Sequence, residues 1–332
     1  MSAGTGNRKA QLWGALFVVA ASVLWGTTGT AATLAPDVSA LAIGAVAMGL
    51  GGLLQALYAA NAIAAQRPVL LERWRLVSLG AAAVALYPLA FYSSMRLSGV
   101  AVGTVISIGS APVAAALIER FADRKRLTRQ WMAGATVGVA GAAMLSFAGH
   151  GGQAPAAGTT GNGWSFMAGI ALGLVAGITY ALYSWAAHRL IGGGASSRAA
   201  MGSIFGAGGF LLMPVLALTG RPLLESWTNF SVGAYMALVP MFAGYVLFGW
   251  GLARIRASTA TGISLLETVV AAVLAVLVVG ERLPPLGWLG AAVVILGLFI
   301  LTPRQSTSGP LPAPSPGGER LAEQQAGAQS HE

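Results

Sequence analysis

Ten apolar stretches, at 12–34, 38–61, 76–95, 99–118, 131–147, 164–187, 199–218, 232–253, 257–279 and 286–301, take up most of the chain. Each is long enough, or nearly so, to cross a hydrocarbon core about 30 Å thick at about 1.5 Å of rise per helical residue. A chain divided in this way satisfies its backbone in lipid either as helices or as a closed barrel, and stretches of this length select helices. The scarcity of charge agrees: Asp, Glu, Lys and Arg make up 9% of the 332 residues, too little to keep a soluble surface of this size wet. The predicted fold is an all-α polytopic membrane protein of ten transmembrane helices.

A formal net charge of +9 would suit a nucleic-acid partner if the bases shared one periodic face. They lie instead in the short gaps between apolar stretches, the distribution of a membrane protein whose loops are sorted by sign, so no nucleic-acid partner is expected. With residues 1–11 in the cytoplasm, sixteen of the 19 Lys and Arg fall on the cytoplasmic side, including Arg8, Lys9 and the run Arg120, Arg124, Lys125, Arg126 and Arg129. Only Arg96, Arg221 and Arg282 fall outside. That asymmetry predicts a multi-pass protein with both termini cytoplasmic and the lipid bilayer as its partner; the expected membrane is a bacterial inner one, and the further expected partner is a small-molecule substrate. The first apolar stretch is long enough to span and lacks a small-residue cleavage site, so it reads as a helix and not as a signal peptide. Residues 149–163 read as an external connector, and 303–332, rich in Pro, Gly, Ser and Gln, as a disordered cytoplasmic tail.

An internal repeat sets the architecture. Displacing the chain by 156 positions aligns 92–127 with 248–283 without a gap. Ala101 then meets Ala257, Val113 meets Val269, Gly134 meets Gly290, Gly141 meets Gly297 and Leu145 meets Leu301. The repeats occupy 12–148 and 164–302, and each holds five spans. Five is odd, so the second repeat is inverted relative to the first, a plan recurrent in secondary transporters with the site near the midplane between halves.

Several short sequences carry a family resemblance: Leu24-Trp25-Gly26, Tyr180-Ala181, Ala111-Pro112-Val113, Leu266-Glu267 and Gly280-Glu281-Arg282-Leu283. With the five-plus-five arrangement, they make the chain resemble the EamA-type branch of the drug/metabolite transporter superfamily over roughly 12–301. Overall it is most similar to the bacterial exporters of aromatic amino acids (YddG type). Thr268 stands where the family usually has a proline after Leu-Glu, and Lys125 where an acid is usual in the first-half copy of Gly-Glu-Arg-Leu. A kink at 268 is therefore not expected from proline. The resemblance implies a basket of helices around a central cavity, alternating access, and export of amino acids or related metabolites.

Candidate site residues follow from depth and chemistry. Glu267 lies about halfway along the ninth stretch and is the one acid expected deep in the membrane, where a charge costs about 2.5–3.5 kcal/mol and usually faces a cavity. Its expected role is to hold a substrate ammonium or to carry a proton; a structural carboxyl bonded to a neighbour is the alternative. Rings and hydroxyls complete the expected substrate site: Trp25, Thr28, Tyr87, Tyr92, Ser107, Ser110, Tyr180, Tyr183, Trp185, Tyr245 and Ser264. Flat rings suit a planar or apolar side chain and hydroxyls orient polar groups, although a hydroxyl can equally bond its own helix. Pro112 removes a backbone donor mid-span and is the expected hinge. Trp13, Trp131, Trp164 and Trp288 read as interfacial anchors, and glycines at four-residue spacing (Gly134/Gly138, Gly169/Gly173/Gly177, Gly202/Gly206) as helix-packing faces.

Other chemistries find no purchase. The chain has no cysteine, and His150, His188 and His331 are scattered, so neither thiolate chemistry nor a metal site is expected. There is no phosphate-binding loop, and no cofactor is expected. The function read from the sequence is a secondary transporter exporting amino acids, aromatic or large neutral, through a central cavity. A broad-specificity drug or metabolite exporter is the alternative; outside that class stand an intramembrane enzyme, which needs paired catalytic groups at one depth, and a non-transporting receptor.

Overall fold

The computed structural model describes residues 2–98, 100–149, 163–280 and 282–301. The connector at 150–162, Glu281 and the tail at 303–332 lie outside the described residues. Ten helices form the body: α1 (Lys9–Ala32), α2 (Ala40–Ala65), α3 (Trp74–Ser98), α4 (Val102–Ala122), α5 (Arg129–Ala148), α6 (Trp164–Gly192), α7 (Ser197–Thr219), α8 (Trp227–Leu252), α9 (Ala257–Val278) and α10 (Pro285–Leu301). The first nine are long and apolar enough to cross a membrane; α10 is apolar but shorter. Most boundaries fall near their expected places. The clearest shift is α8, which begins at Trp227 and not near 232, because Ser226 caps it by accepting from Asn229 N at 3.1 Å. The polar Thr228 and Asn229 had hidden that first turn.

Glycines set how the helices meet. Gly202 lies against Ala59, Gly206 against Ala56, and Gly209 against Gly49 and Gly52, so α7 runs antiparallel along α2. Gly169, Gly173 and Gly177 meet Ser98, Ser94 with Ile106, and Ser107 with Ser110, seating α6 in the groove between α3 and α4. In the contact between α5 and α10, Gly134 meets Gly297 and Leu301, while Gly141 meets Gly290 and Val294. The sequence offset converts Gly134 into Gly290 and Gly141 into Gly297, so each contact becomes the other when the two helices trade places. An antiparallel pair with that property is related by a two-fold axis, the geometry the odd span count requires.

Among the described residues two spans break, α1 five residues before its end and α9 nearer its middle. α1 breaks at Thr27, whose N–H bonds Leu24 O at 3.2 Å and whose Oγ1 donates to the same carbonyl at 2.6 Å. α9 breaks at Ser264 and Leu265, between the helical segments Ala257–Ile263 and Leu266–Leu274. There the N–H groups of Glu267 and Thr268 turn back to Ser264 O (3.0 Å) and Leu265 O (3.1 Å). Ser264 Oγ donates to Thr261 O and Thr268 Oγ1 to Leu265 O. Hydroxyls that compete for backbone carbonyls loosen a helix without proline. α4, by contrast, passes through Pro112 without interruption. The expected hinge thus sits in a continuous helix, while the break in α9 falls about one turn before Thr268.

The α5–α10 contact generates a test. Gly141→Ala places a methyl group against backbone atoms of Gly290 and Val294, which cannot move aside as a side chain can. The variant should be less stable by about 1–3 kcal/mol, seen as a lower apparent melting midpoint in detergent. Gly192→Ala, whose added carbon meets open space, should leave the midpoint unchanged.

Candidate functional site

The two breaks lie side by side. Gly26, just before the break in α1, packs so closely on α9 that an added carbon would strike Val270 and the carbonyl of Glu267. This contact turns the first residues of the second helical segment of α9, Glu267 among them, toward the space enclosed by α1, α2, α3, α6 and α8. A deep chamber of about 80 Å³ occupies that space, lined by Trp25, Thr28, Gly44, Ala47, Met48, Tyr87, Pro88, Phe91, Tyr92, Tyr180, Met241, Tyr245 and Glu267. A vestibule of about 500 Å³ shares Trp25, Thr28, Phe91, Tyr92 and Glu267 with it and extends past Met95, Thr104, Ile108 and Leu145 to Arg282 and Leu283. The vestibule falls within the size range of small-molecule sites.

The chamber is walled by an aromatic cluster. Trp25 packs on Tyr245 with ring centroids 4.8 Å apart and meets Tyr180 edge-on at 6.4 Å, and Tyr87 meets Tyr180 at 5.7 Å. Trp25 is fixed by its Nε1–H donating to Pro240 O at 3.0 Å. That carbonyl belongs to a π-helical stretch of α8, Ala237–Ala243, the kind of local widening that recurs at functional sites. Tyr245 shares a 2.8 Å hydrogen bond between hydroxyls with Tyr183, and Tyr180 OH donates to Ser264 Oγ at 2.8 Å. The second bond ties α6 to the break in α9.

Of the residues expected at the site, the fold brings Glu267, Trp25, Thr28, Tyr87, Tyr92, Tyr180 and Tyr245 to the cavity wall. The rest stand elsewhere. Tyr183 and Ser264 are buried behind the wall, supporting Tyr245 and Tyr180. Ser107 and Ser110 sit on the face of α4 that packs against Gly177 of α6, a seam between helices. Trp185 is half-buried beyond the cavity and donates to Asp123 Oδ2 at 3.1 Å. Conversely, Met48, Phe91 and Met241 line the deep chamber without having been singled out, since in a chain this apolar nothing distinguishes a wall residue from a packing one.

Another acid is buried in the protein, at the end of a span and not at the depth of Glu267. Glu119, placed just past the fourth apolar stretch, lies within α4 and is fully buried. It receives the N–H of Ser258 at 3.2 Å and its Oγ–H at 2.7 Å, capping the start of α9 from another helix. One turn on, Asp123 pairs with Arg189 Nη1 at 3.0 Å in addition to its bond from Trp185. These two carboxylates, one in the last turn of α4 and one just past its end, fasten α4 to α6 and α9 at the end of the bundle opposite Arg282. Among the described residues no group of three or more His, Asp or Glu converges in a way that would hold a metal ion.

Comparison with known proteins places the chain. The EamA-like transporter family model matches residues 12–147 and again 167–302. A protein of Bacillus subtilis (strain 168) named as an uncharacterized transporter, YwfM, is 33% identical over 288 residues, covering 86% of this chain and 93% of that protein. A probable terminal-alkyne amino-acid exporter of Streptantibioticus cattleyicolor is 28% identical over 202 residues, 59% of this chain and 62% of that protein. A solved structure superposes with a TM-score of 0.65 at 19% identity, covering 87% of this chain and 96% of that one, and shares the fold. The chain belongs to the EamA-like transporter family, and it is a multi-pass membrane protein.

The fastening around Glu119 can be measured directly. Glu119→Ala and Ser258→Ala should each lower the apparent melting midpoint, because either leaves buried polar groups unpaired. The double variant should lose less than the sum of the two, with a coupling of about 0.5–3 kcal/mol.

Proposed function

We propose that this chain is a secondary transporter that exports amino acids, aromatic or large neutral, by alternating access through the central cavity. The observation that carries the reading is the pairing of one carboxylate with an aromatic wall at the place where two spans are interrupted. Interrupted helices near the midplane are a recurrent substrate site in inverted-repeat transporters, since they let helix halves move and expose backbone to a ligand. Glu267 supplies the charge for a substrate ammonium, while Trp25, Tyr87, Tyr92, Tyr180 and Tyr245 supply flat apolar faces. The similarity to a relative named as a probable terminal-alkyne amino-acid exporter supports amino acids as the substrate class.

Orientation completes the proposal. With the N-terminus cytoplasmic, Arg282 and the vestibule mouth face outward, and the Glu119–Ser258 and Asp123–Arg189 contacts lie on the cytoplasmic side. The conformation described is then open outward and closed inward, and inward opening separates α4 from α6 and α9 at those contacts. Sixteen of the 19 Lys and Arg on the cytoplasmic side support this orientation.

Counterflow of radiolabelled amino acids in proteoliposomes tests the reading. Saturable exchange of phenylalanine or leucine is expected, with Glu267→Gln lowering it by about tenfold or more. Protein that reconstitutes well but exchanges no amino acid removes the substrate class. Topology has its own test, made simple by the absence of cysteine. A cysteine replacing Glu225 should react with an impermeant maleimide on intact cells, and one replacing Thr128 only after permeabilisation.

A further inference from the structure

Among the described residues the cavity wall carries a carboxylate at its centre and a cation only at its far end, and that imbalance bears on which end of a ligand it reads. Glu267 lines both chambers, and among the described residues no hydrogen bond or ion pair engages its carboxylate. Several hydroxyls around the cavity have already committed their protons to the protein, while Tyr87 and Tyr92 keep theirs as neutral phenolic donors. Thr28 Oγ1 donates to Trp25 O at 2.7 Å, Thr268 Oγ1 to Leu265 O at 2.7 Å and Thr33 Oγ1 to Thr30 O at 2.8 Å. Tyr180 donates to Ser264 and Trp25 to Pro240. What the threonines and Tyr180 still offer a ligand is lone pairs. The start of the second helical segment of α9 would be a natural place for an anion, but the N–H groups of Glu267 and Thr268 are turned back onto Ser264 and Leu265.

Positive charge is equally scarce. Among the described residues no Lys, Arg or His lines the deep chamber, and the one cation lining the vestibule is Arg282, in the loop before α10. α9 runs eleven residues beyond Glu267 to Val278, about 16 Å at helical rise, before the loop that holds Arg282. The ammonium and carboxylate of an α-amino acid sit on one carbon, so Arg282 cannot take the second while Glu267 holds the first. An ammonium meets a carboxylate, lone pairs and ring faces here, whereas a carboxylate meets neutral phenolic donors at best and the like charge of Glu267.

We propose that the site recognises its ligand through the ammonium group alone, so that its substrate class is organic primary amines with an apolar or aromatic body, and a free carboxylate on the ligand contributes no affinity. The inference deepens the transporter reading and rests on it for the identity of the site. It extends the class to decarboxylated amines and to amino-acid esters, which present the same ammonium without the anion.

Direct binding of radiolabelled phenethylamine to the purified full-length protein, followed by scintillation proximity, tests this, with phenylalanine, phenylalanine methyl ester and 3-phenylpropionate as competitors. Phenethylamine should bind saturably, the ester should displace it at least as well as phenylalanine, and 3-phenylpropionate should not displace it. Glu267→Gln should weaken binding about ten- to hundredfold while the variant elutes as a single species with an unchanged melting midpoint. Failure of phenethylamine to bind, displacement by 3-phenylpropionate equal to that by phenylalanine, or unaltered affinity in Glu267→Gln would each overturn the inference. Amino-acid counterflow separates the two readings: exchange without amine binding leaves the exporter standing and removes the ammonium rule, while amine binding without amino-acid exchange does the reverse.

Discussion

In lipid a backbone N–H or C=O that leaves its helix has no water to turn to, and the structure is organised around that constraint. α1 and α9 can break only because side chains and short backbone bonds take up the freed groups. Thr27 covers Leu24 O, Ser264 covers Thr261 O, and Thr268 covers Leu265 O. Each of these hydroxyls does structural work before any ligand arrives. The cavity is the result: where the helices step aside, Glu267 is exposed and the rings of Trp25 and Tyr180 are brought together. Backbone satisfaction, aromatic packing and the position of the charge are thus one arrangement.

The repeat symmetry explains the frame, and departures from it explain the site. α5 and α10 meet through the same glycines taken in opposite order, as two copies of one element should. At the offset of 156, however, Glu267 faces Ala111 and Thr268 faces Pro112. The carboxylate therefore exists in one repeat only. So does the break: α4 keeps the proline and stays continuous, while α9 lacks it and is interrupted. Proline in a long, well-packed span is tolerated, and several hydroxyls in succession at 258–268 loosen their helix more effectively.

What the sequence made legible follows from the reach of each signal. Span number and the inverted plan rest on whole stretches of residues and on a long register, so local errors do not disturb them; the first turn of α8, hidden by Thr228 and Asn229, is such an error. Large rings in mid-span were legible because Tyr87, Tyr180 and Tyr245 need a polar terminus for their hydroxyls. Small hydroxyls were not. Ser107 and Ser110 look identical in sequence to Thr28, yet a helix rotation sends them to a packing seam. Met48, Phe91 and Met241 carried no signal, because apolar walls and apolar packing use the same residues. Glu119 carried no signal either, because α4 extends to Ala122, past the end of the apolar stretch, and its last turn buries the acid against α9.

The presence of Glu267 without a counterpart at Ala111 has a thermodynamic meaning for any cargo. Under the alternating access proposed for this chain, the site keeps the same carboxylate in both states, but the surroundings presented to it differ, because the two halves are no longer equivalent in charge. Affinity can then differ between the two facings, and half-saturation measured from one side of the membrane need not equal that from the other. Net flux is another matter. Detailed balance forbids an asymmetric site from driving uphill movement by itself, so this lone carboxylate can set how long each facing stays occupied, while the direction of transport belongs to the gradients on either side.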